Sequence, residues 1–241
     1  MIIDGDFLRA SVRAAGVEAD EKALERLQDY AEYLVEYNEK VNLTAITAPE
    51  DIAVKHFADS LSLLPALTPK EGASIADVGA GAGFPSVPML IARPDLKITM
   101  IDSSNKRVTF LTLLLERLGL ADSGSAAVHM RAEEAGASQK YREKYDFAVA
   151  RAVANLRELA EYCLPLVKVG GTFAAMKGAD VDAELDGAKK AIELLGGEVA
   201  EVKRFTLPNG DGRSIVLIKK ISQTSAKYPR PSAKIAKKPL V

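Results

Sequence analysis

The 241-residue chain is 48% hydrophobic and 27% charged, with 32 basic and 33 acidic residues, one cysteine and two histidines. This composition suits a globular protein with one substantial core, and it excludes an internal disulfide, a cysteine-rich zinc site and a histidine-based metal centre. No apolar run approaches the ~20 residues of a membrane span, and the acidic start Met1-Ile2-Ile3-Asp4-Gly5-Asp6 is unlike a secretion signal, so the expectation is a cytoplasmic, metal-free, monomeric protein.

Residues 1–70 read as a helical extension. Leu24, Leu27, Ala31 and Leu34 recur at three- and four-residue steps and predict an amphipathic helix. A polar, irregular connection (Tyr37 to Thr44) leads to a second helix. Thr47 and Glu50 have the spacing of a capping box, with Pro49 in the first turn, and the apolar pattern runs through Ile52, Phe57, Leu61 and Leu64 to a stop at Pro65.

Residues 71–221 read as an α/β domain. Strands are predicted at Ser74–Val78, Lys97–Ile101, Ala126–Met130, Tyr145–Ala150 and Thr172–Met176, with helical segments at Pro85–Ala92, Ser104–Leu118 and Asn155–Leu166. Such alternation argues a parallel sheet, and Gly170-Gly171 marks a turn into the fifth strand. Glu198–Leu207 and Arg213–Ile221, joined by Pro208-Asn209-Gly210-Asp211-Gly212, read as an antiparallel hairpin. After Asp211 there is no acidic residue but there are eight basic ones, which leaves 24 basic against 33 acidic in the body. The tail, residues 222–241, holds Pro229, Pro231 and Pro239 and is expected to be mobile, without a helix of its own. It is either an arm that neutralises phosphates or a solvated end.

The most informative segment is Asp77-Val78-Gly79-Ala80-Gly81-Ala82-Gly83-Phe84-Pro85, where a strand breaks into alternate glycines and Asp102 follows at the end of the next strand. A glycine turn after one strand and a carboxylate at the tip of the next can hold an adenosine ribose. The third glycine comes one residue too early for a dinucleotide fold, and Asp77 would repel a pyrophosphate while attracting an ammonium. The pattern resembles motif I of S-adenosylmethionine-dependent methyltransferases. On that reading Gly79, Gly81 and Gly83 let the backbone approach the methionine part, and Asp102, with Ser103 beside it, accepts the ribose hydroxyls. Ala132 and Glu133 meet the adenine, although Glu133 and Glu134 equally suit a solvated helix start. Phe84 either closes over the ligand or belongs to the core. Cys163 reads as plain packing, and His129, inside a strand, as a core histidine.

Arg151, at the tip of the fourth strand, is an acceptor-side candidate. No Asp/Asn-Pro-Pro-Tyr segment and no cysteine lies there, which argues against amino-directed and pyrimidine-carbon chemistry. Guanine N7 needs neither device, because its lone pair lies in the ring plane and bears no proton.

Tyr37-Asn38, Asn42-Leu43-Thr44, Lys55-His56-Phe57-Ala58-Asp59-Ser60, the glycine segment, Asp102-Ser103, Lys106-Arg107, Arg151-Ala152 and Lys177-Gly178 together resemble the bacterial 16S ribosomal RNA guanine-N7 methyltransferase family, the RsmG or GidB type, in order over nearly the whole chain. The Lys-Tyr-Pro-Arg run at 227–230 is similar to the ending of some members. Ala80 and Ala82 stand where members often have Thr and Pro. The resemblance implies a Rossmann-like seven-stranded S-adenosylmethionine-dependent methyltransferase fold, that molecule as cofactor, and 16S rRNA or the small ribosomal subunit as partner. By matching positions it carries cofactor contacts to Gly79, Phe84, Ala132, Glu133 and Arg151. No acid or base catalyst is expected. His56 either reaches the cofactor mouth or bonds to backbone, and Asn42 and Thr44 either cap their loop or touch RNA. Lys106, Arg107, Lys177 and Arg213 are candidates for phosphate contacts. The rival readings are a small-molecule methyltransferase of the same fold, a dinucleotide-dependent oxidoreductase, and a ribosome-binding protein that kept the pocket without the activity.

Overall fold

The computed structural model describes residues 2–151 and 154–240. Helices α1 (Gly5–Ala14) and α2 (Glu21–Asn38) are each started by an aspartate whose carboxylate accepts a first-turn N–H, Asp4 from Phe7 and Asp20 from Ala23. A broken helical stretch follows: α3 (Pro49–Asp51), a π-helical turn (Ile52–Ala58), α4 (Asp59–Leu61) and α5 (Leu63–Leu67). Strands and helices then alternate through β1 (Ser74–Val78), α6 (Ser86–Ala92), β2 (Lys97–Asp102), α7 (Asn105–Arg117), β3 (Ala126–His129), α8 (Ala132–Ala137), β4 (Tyr145–Arg151), α9 (Leu156–Cys163) and β5 (Val167–Gly178). Helix α10 (Asp182–Leu194) leads into the hairpin of β6 (Gly197–Thr206) and β7 (Gly212–Lys220), and α11 (Ser232–Lys237) lies in the tail.

The seven strands form one sheet in the order β3-β2-β1-β4-β5-β7-β6. The first five are parallel, while β7 pairs antiparallel with both β5 and β6. This is the Rossmann-like seven-stranded fold expected. Strand order reverses between β1 and β4, so a crevice opens at the carboxyl ends of those strands. Period-two alternation splits the apolar residues between the sheet's faces. Ile75, Val149, Ala174 and Ile215 pack under α1, α2, α6 and α7, whereas Ala76, Ala148, Phe173 and Val216 pack under α8, α9 and α10. Both faces are covered, which is why these strands read as continuous apolar runs.

Four expectations are corrected. Thr47 makes no capping box: the helix starts at Pro49 after Ala48, which has no side-chain cap, and proline's preset φ takes over that job. The stretch does not stop at Pro65 but runs to Leu67 and ends on left-handed Thr68 (φ 44°). Pro65 is the third residue of a short helix, where its missing N–H would have had no partner. His129 is exposed on the edge strand, its Nε2 3.0 Å from the Ser103 carbonyl. Finally, the tail is docked rather than free. It forms α11 and buries Tyr228 and Ile235, because those apolar side chains and the Arg230 guanidinium all find partners on the body.

Candidate functional site

The loop after β1 is shaped by backbone. Gly79, Gly81 and Gly83 have φ of 74°, 59° and 97°, a region costly for side chains. Gly79 and Ala80 donate their N–H groups to the Ile101 carbonyl at the end of β2 (2.8 and 3.2 Å). Asp102, 3% exposed, ties the loop to the next turn: Oδ2 accepts the Gly81 N–H (2.9 Å) and Oδ1 the Ser104 N–H (2.8 Å). Arg107 Nη1 lies 3.7 Å from Oδ2. Beside them is a cleft of about 370 Å³ lined by Gly79, Asp102, Ser103, Arg107, Ala132 and Glu133, with Glu158, Tyr162 and Ser232 completing its rim.

A second cavity of about 370 Å³ opens across the tip of β4, between β5, β7 and the π-helical turn. Its walls carry Lys55, Arg151, Lys177 and Arg213 against one carboxylate, Asp59. Arg151 is held on three sides. It donates to the Lys55 carbonyl (3.0 Å), to Asp59 Oδ2 (3.2 Å) and to His56 Nδ1 (3.1 Å). Arg213 Nε approaches Asp59 Oδ1 at 3.4 Å. Arg151 can only donate, so His56 carries its proton on Nε2, which faces Thr44 Oγ1 at 3.0 Å. Burial, reinforced by the Arg151 charge, lowers this imidazole to about 3 and keeps it neutral. The wider π turn places Lys55 and His56 at the strand tips, a common use of such turns, and Asp59 follows directly as the first residue of α4.

Phe84 joins the two halves. It ends the glycine loop, stacks on His56 (centroids 4.1 Å apart, planes at 15°) and on Tyr30 (5.2 Å), and lies 4.9 Å beneath the Arg151 guanidinium. Tyr30, fully buried on α2, donates its hydroxyl to the Ala82 carbonyl (2.5 Å). A Cβ on Gly83 would come within 2.8 Å of that hydroxyl, so this glycine makes room for the helical layer.

Of the residues predicted for the cofactor, Gly79, Asp102, Ser103, Ala132 and Glu133 line the first cleft, and the others do not. Gly81 and Gly83 serve the loop's geometry from behind. Phe84 is 5% exposed and packs in the core. Arg151 faces the second cavity. Asp77 is fully buried beneath the loop, where Ser86 Oγ donates to Oδ2 (2.5 Å) and Oδ1 has no hydrogen-bond partner among the described residues. Burial pushes its carboxyl up to about 7, against the Ser86 hydrogen bond and the Arg151 charge.

The RNA candidates divide. Asn42 and Lys106 are exposed, Arg107 faces Asp102, and Lys177 and Arg213 line the second cavity. Lys177 is tied to Glu184 (2.6 Å) and the Ala154 carbonyl (2.8 Å). Ala152 lies outside the described residues. Sequence reasoning gave no role to Tyr30, Lys55, Asp59 or Ser232. Lys55 and Asp59 stand inside a distinctive motif, but nothing in the spacing showed what they face.

The same arrangement can be set beside known proteins. Residues 23–215 match the family described as GidB, rRNA small subunit methyltransferase G. A protein of that name from Alkaliphilus metalliredigens is 47% identical over 235 residues, covering 97% of this chain and 98% of the relative. Its namesake from Exiguobacterium is 48% identical over 239 residues, covering 99% of each. Among solved structures, a SAM-dependent O-methyltransferase from Thermotoga maritima superposes with a TM-score of 0.52 at 18% identity, over 80% of this chain and 73% of that one. A precorrin-6y C5,15-methyltransferase from Geobacter metallireducens gives 0.52 at 17%, over 73% and 90%. The distant structures share the fold, the near relatives match nearly the whole chain, and the chain belongs to the rRNA small subunit methyltransferase G family.

Proposed function

We propose that this chain transfers a methyl group from S-adenosylmethionine to N7 of a guanine in 16S rRNA, presented as RNA or within the small ribosomal subunit. The observation that carries the reading is the pairing of a glycine-and-carboxylate cleft with a cation-lined cavity across the tip of β4. The donor set suits the cofactor. Asp102 spends one lone pair of each oxygen on backbone N–H groups, leaving the others for two ribose hydroxyls. Gly79 offers bare backbone, and Ala132 and Glu133 sit at the start of α8 for the base. When bound, S-adenosylmethionine supplies an electrophilic methyl group on a sulfonium.

The second cavity suits a nucleotide acceptor. Its lining sets Lys55, Arg151, Lys177 and Arg213 against Asp59, with Asp51 and Glu184 holding the two lysines in place from outside it, an arrangement that suits a phosphate-bearing substrate. Both ring nitrogens of His56 are engaged, so it is a positioning residue that holds Arg151 and the Thr44 loop rather than a base. An acceptor atom without a proton asks for no base, and the rate then rests on alignment. Within this reading residues 1–70 brace the glycine loop and the acceptor wall, and residues 71–221 carry the cofactor cleft.

The test is incubation of the purified chain with small subunits lacking base methylation and with labelled donor, followed by mass spectrometry of the digested rRNA. Label on guanine N7 is expected. Label on another base or ring atom, or on small molecules alone, would overturn the assignment.

A further inference from the structure

The eight cations that follow Asp211 suggest a free basic arm, but residues 222–240 clasp the elements that build the cofactor cleft. Arg142, just beyond α8, donates to the carbonyls of Gly136, Tyr228 and Thr224 (2.8, 2.8 and 2.6 Å), stitching that helix to the tail. A Cβ on Gly136 would meet Pro229 at 2.9 Å, so the tail and α8 touch backbone to ring. On α9, Glu161 is fully buried and accepts from the Arg230 guanidinium through both oxygens (2.8 and 2.6 Å). The next residue, Tyr162, is on the rim of the cleft. Two residues after Arg230 comes half-buried Ser232, which lines the cleft itself and accepts from Arg131 at 3.4 Å. Undocking would strip Glu161 of its bidentate partner and expose Ile235.

We propose that residues 222–240 form a fixed wall of the cofactor cleft, with Ser232 a contact for the adenosine half of the bound donor; this rests on reading the cleft as the S-adenosylmethionine site. A serine hydroxyl both donates and accepts, as the polar edge of an adenine or a ribose requires. The tail's lysines Lys234, Lys237 and Lys238 are exposed around the same wall, so its charge stands beside the cleft while its backbone closes it.

The full chain and Ser232→Phe are titrated calorimetrically with S-adenosylhomocysteine and with 5′-methylthioadenosine, which lacks the amino-acid half. The larger side chain should intrude on the nucleoside and weaken both ligands about tenfold, with the unfolding midpoint unchanged. A loss under about threefold, or one confined to S-adenosylhomocysteine, overturns the proposal. Should that variant not fold, Ser232→Cys serves. The chain's other thiol, Cys163, is buried, and saturating S-adenosylhomocysteine should slow alkylation of the new one. Alkylation at an unchanged rate overturns the wall. If the unaltered chain shows no binding of S-adenosylhomocysteine, the cofactor reading itself fails, which is a separate result.

Discussion

Asp77 and Asp59 are both buried near the carboxyl ends of the strands, and each keeps one oxygen without a hydrogen bond among the described residues. Their surroundings differ. Asp59 stands between Arg151 at 3.2 Å and Arg213 at 3.4 Å, whereas Asp77 bonds only to the neutral Ser86 hydroxyl among the described residues. Burial raises both carboxyls, but at Asp59 two guanidinium groups oppose it directly. The glycine loop therefore covers a buried acid that no cation contacts among the described residues. At the tip of β4 the buried acid is flanked by two guanidinium groups, while Lys55 pairs with Asp51 and Lys177 with Glu184. If the first is the cofactor side and the second the acceptor side, as proposed, a change at each should act on a different ligand.

The largest effect concerns Asp77. Its carboxyl titrates near 7 when folded and near 3.8 when unfolded, so between those values the native chain holds a proton the unfolded chain has lost. Stability must then fall as pH rises through that window, by up to roughly 4 kcal/mol at ~1.4 kcal/mol per unit. Asp77→Asn does not titrate and should escape this loss. Urea unfolding without cofactor, at about pH 4 and about pH 8, should show the variant gaining on the parent as pH rises. Parallel stability curves would remove the contrast with Asp59.

Next is Asp102→Ala, which cuts the tether to Gly81 and Ser104 together. Charge-assisted hydrogen bonds are each worth ~1.5–3 kcal/mol, so affinity for S-adenosylhomocysteine should fall on the order of 100-fold while RNA binding persists. A smaller change in cofactor affinity than in RNA affinity would reverse the assignment of the two sides. Arg151→Lys tests the other side. A single ammonium cannot span the Lys55 carbonyl, Asp59 and His56 at once, so kcat should drop roughly 10- to 30-fold, worth ~2 kcal/mol. Cofactor affinity should change little. If it weakens as much as kcat does, Arg151 belongs to the cofactor and the resemblance carried it over correctly.

The same contrast explains what the sequence made legible. The cofactor side is local: a strand, three glycines and a carboxylate on the next strand lie within 29 residues, and positive φ leaves its mark as glycine. Periodicity likewise exposed the parallel strands and the closing hairpin. Which glycine faces the ligand was not legible, because Gly83 is small on account of Tyr30, 53 residues earlier. The acceptor side is assembled from Asp59, Arg151 and Arg213, whose proximity depends on packing a π-helical turn against three strand tips. No spacing rule encodes that. The tail misled for a related reason. Its prolines and lysines look solvated until Glu161 and Gly136 supply a seat.

The smallest effect tests whether the helical layer has any part in the cofactor side. Tyr30 reaches the glycine loop from α2 and gives its proton to the Ala82 carbonyl, a buried acceptor. Tyr30→Phe keeps the stack on Phe84 and leaves that carbonyl without its donor, at a cost of ~1 kcal/mol. If the cost falls on the loop's shape, affinity for S-adenosylhomocysteine should weaken about fivefold, with kcat at saturating cofactor unchanged. If instead the variant loses about 1 kcal/mol of folding stability and binds cofactor as the parent does, the glycines and Asp102 alone shape the loop. The helical layer would then matter to the acceptor side only, through His56 and Asp59, and the division between backbone-built and side-chain-built halves would be complete.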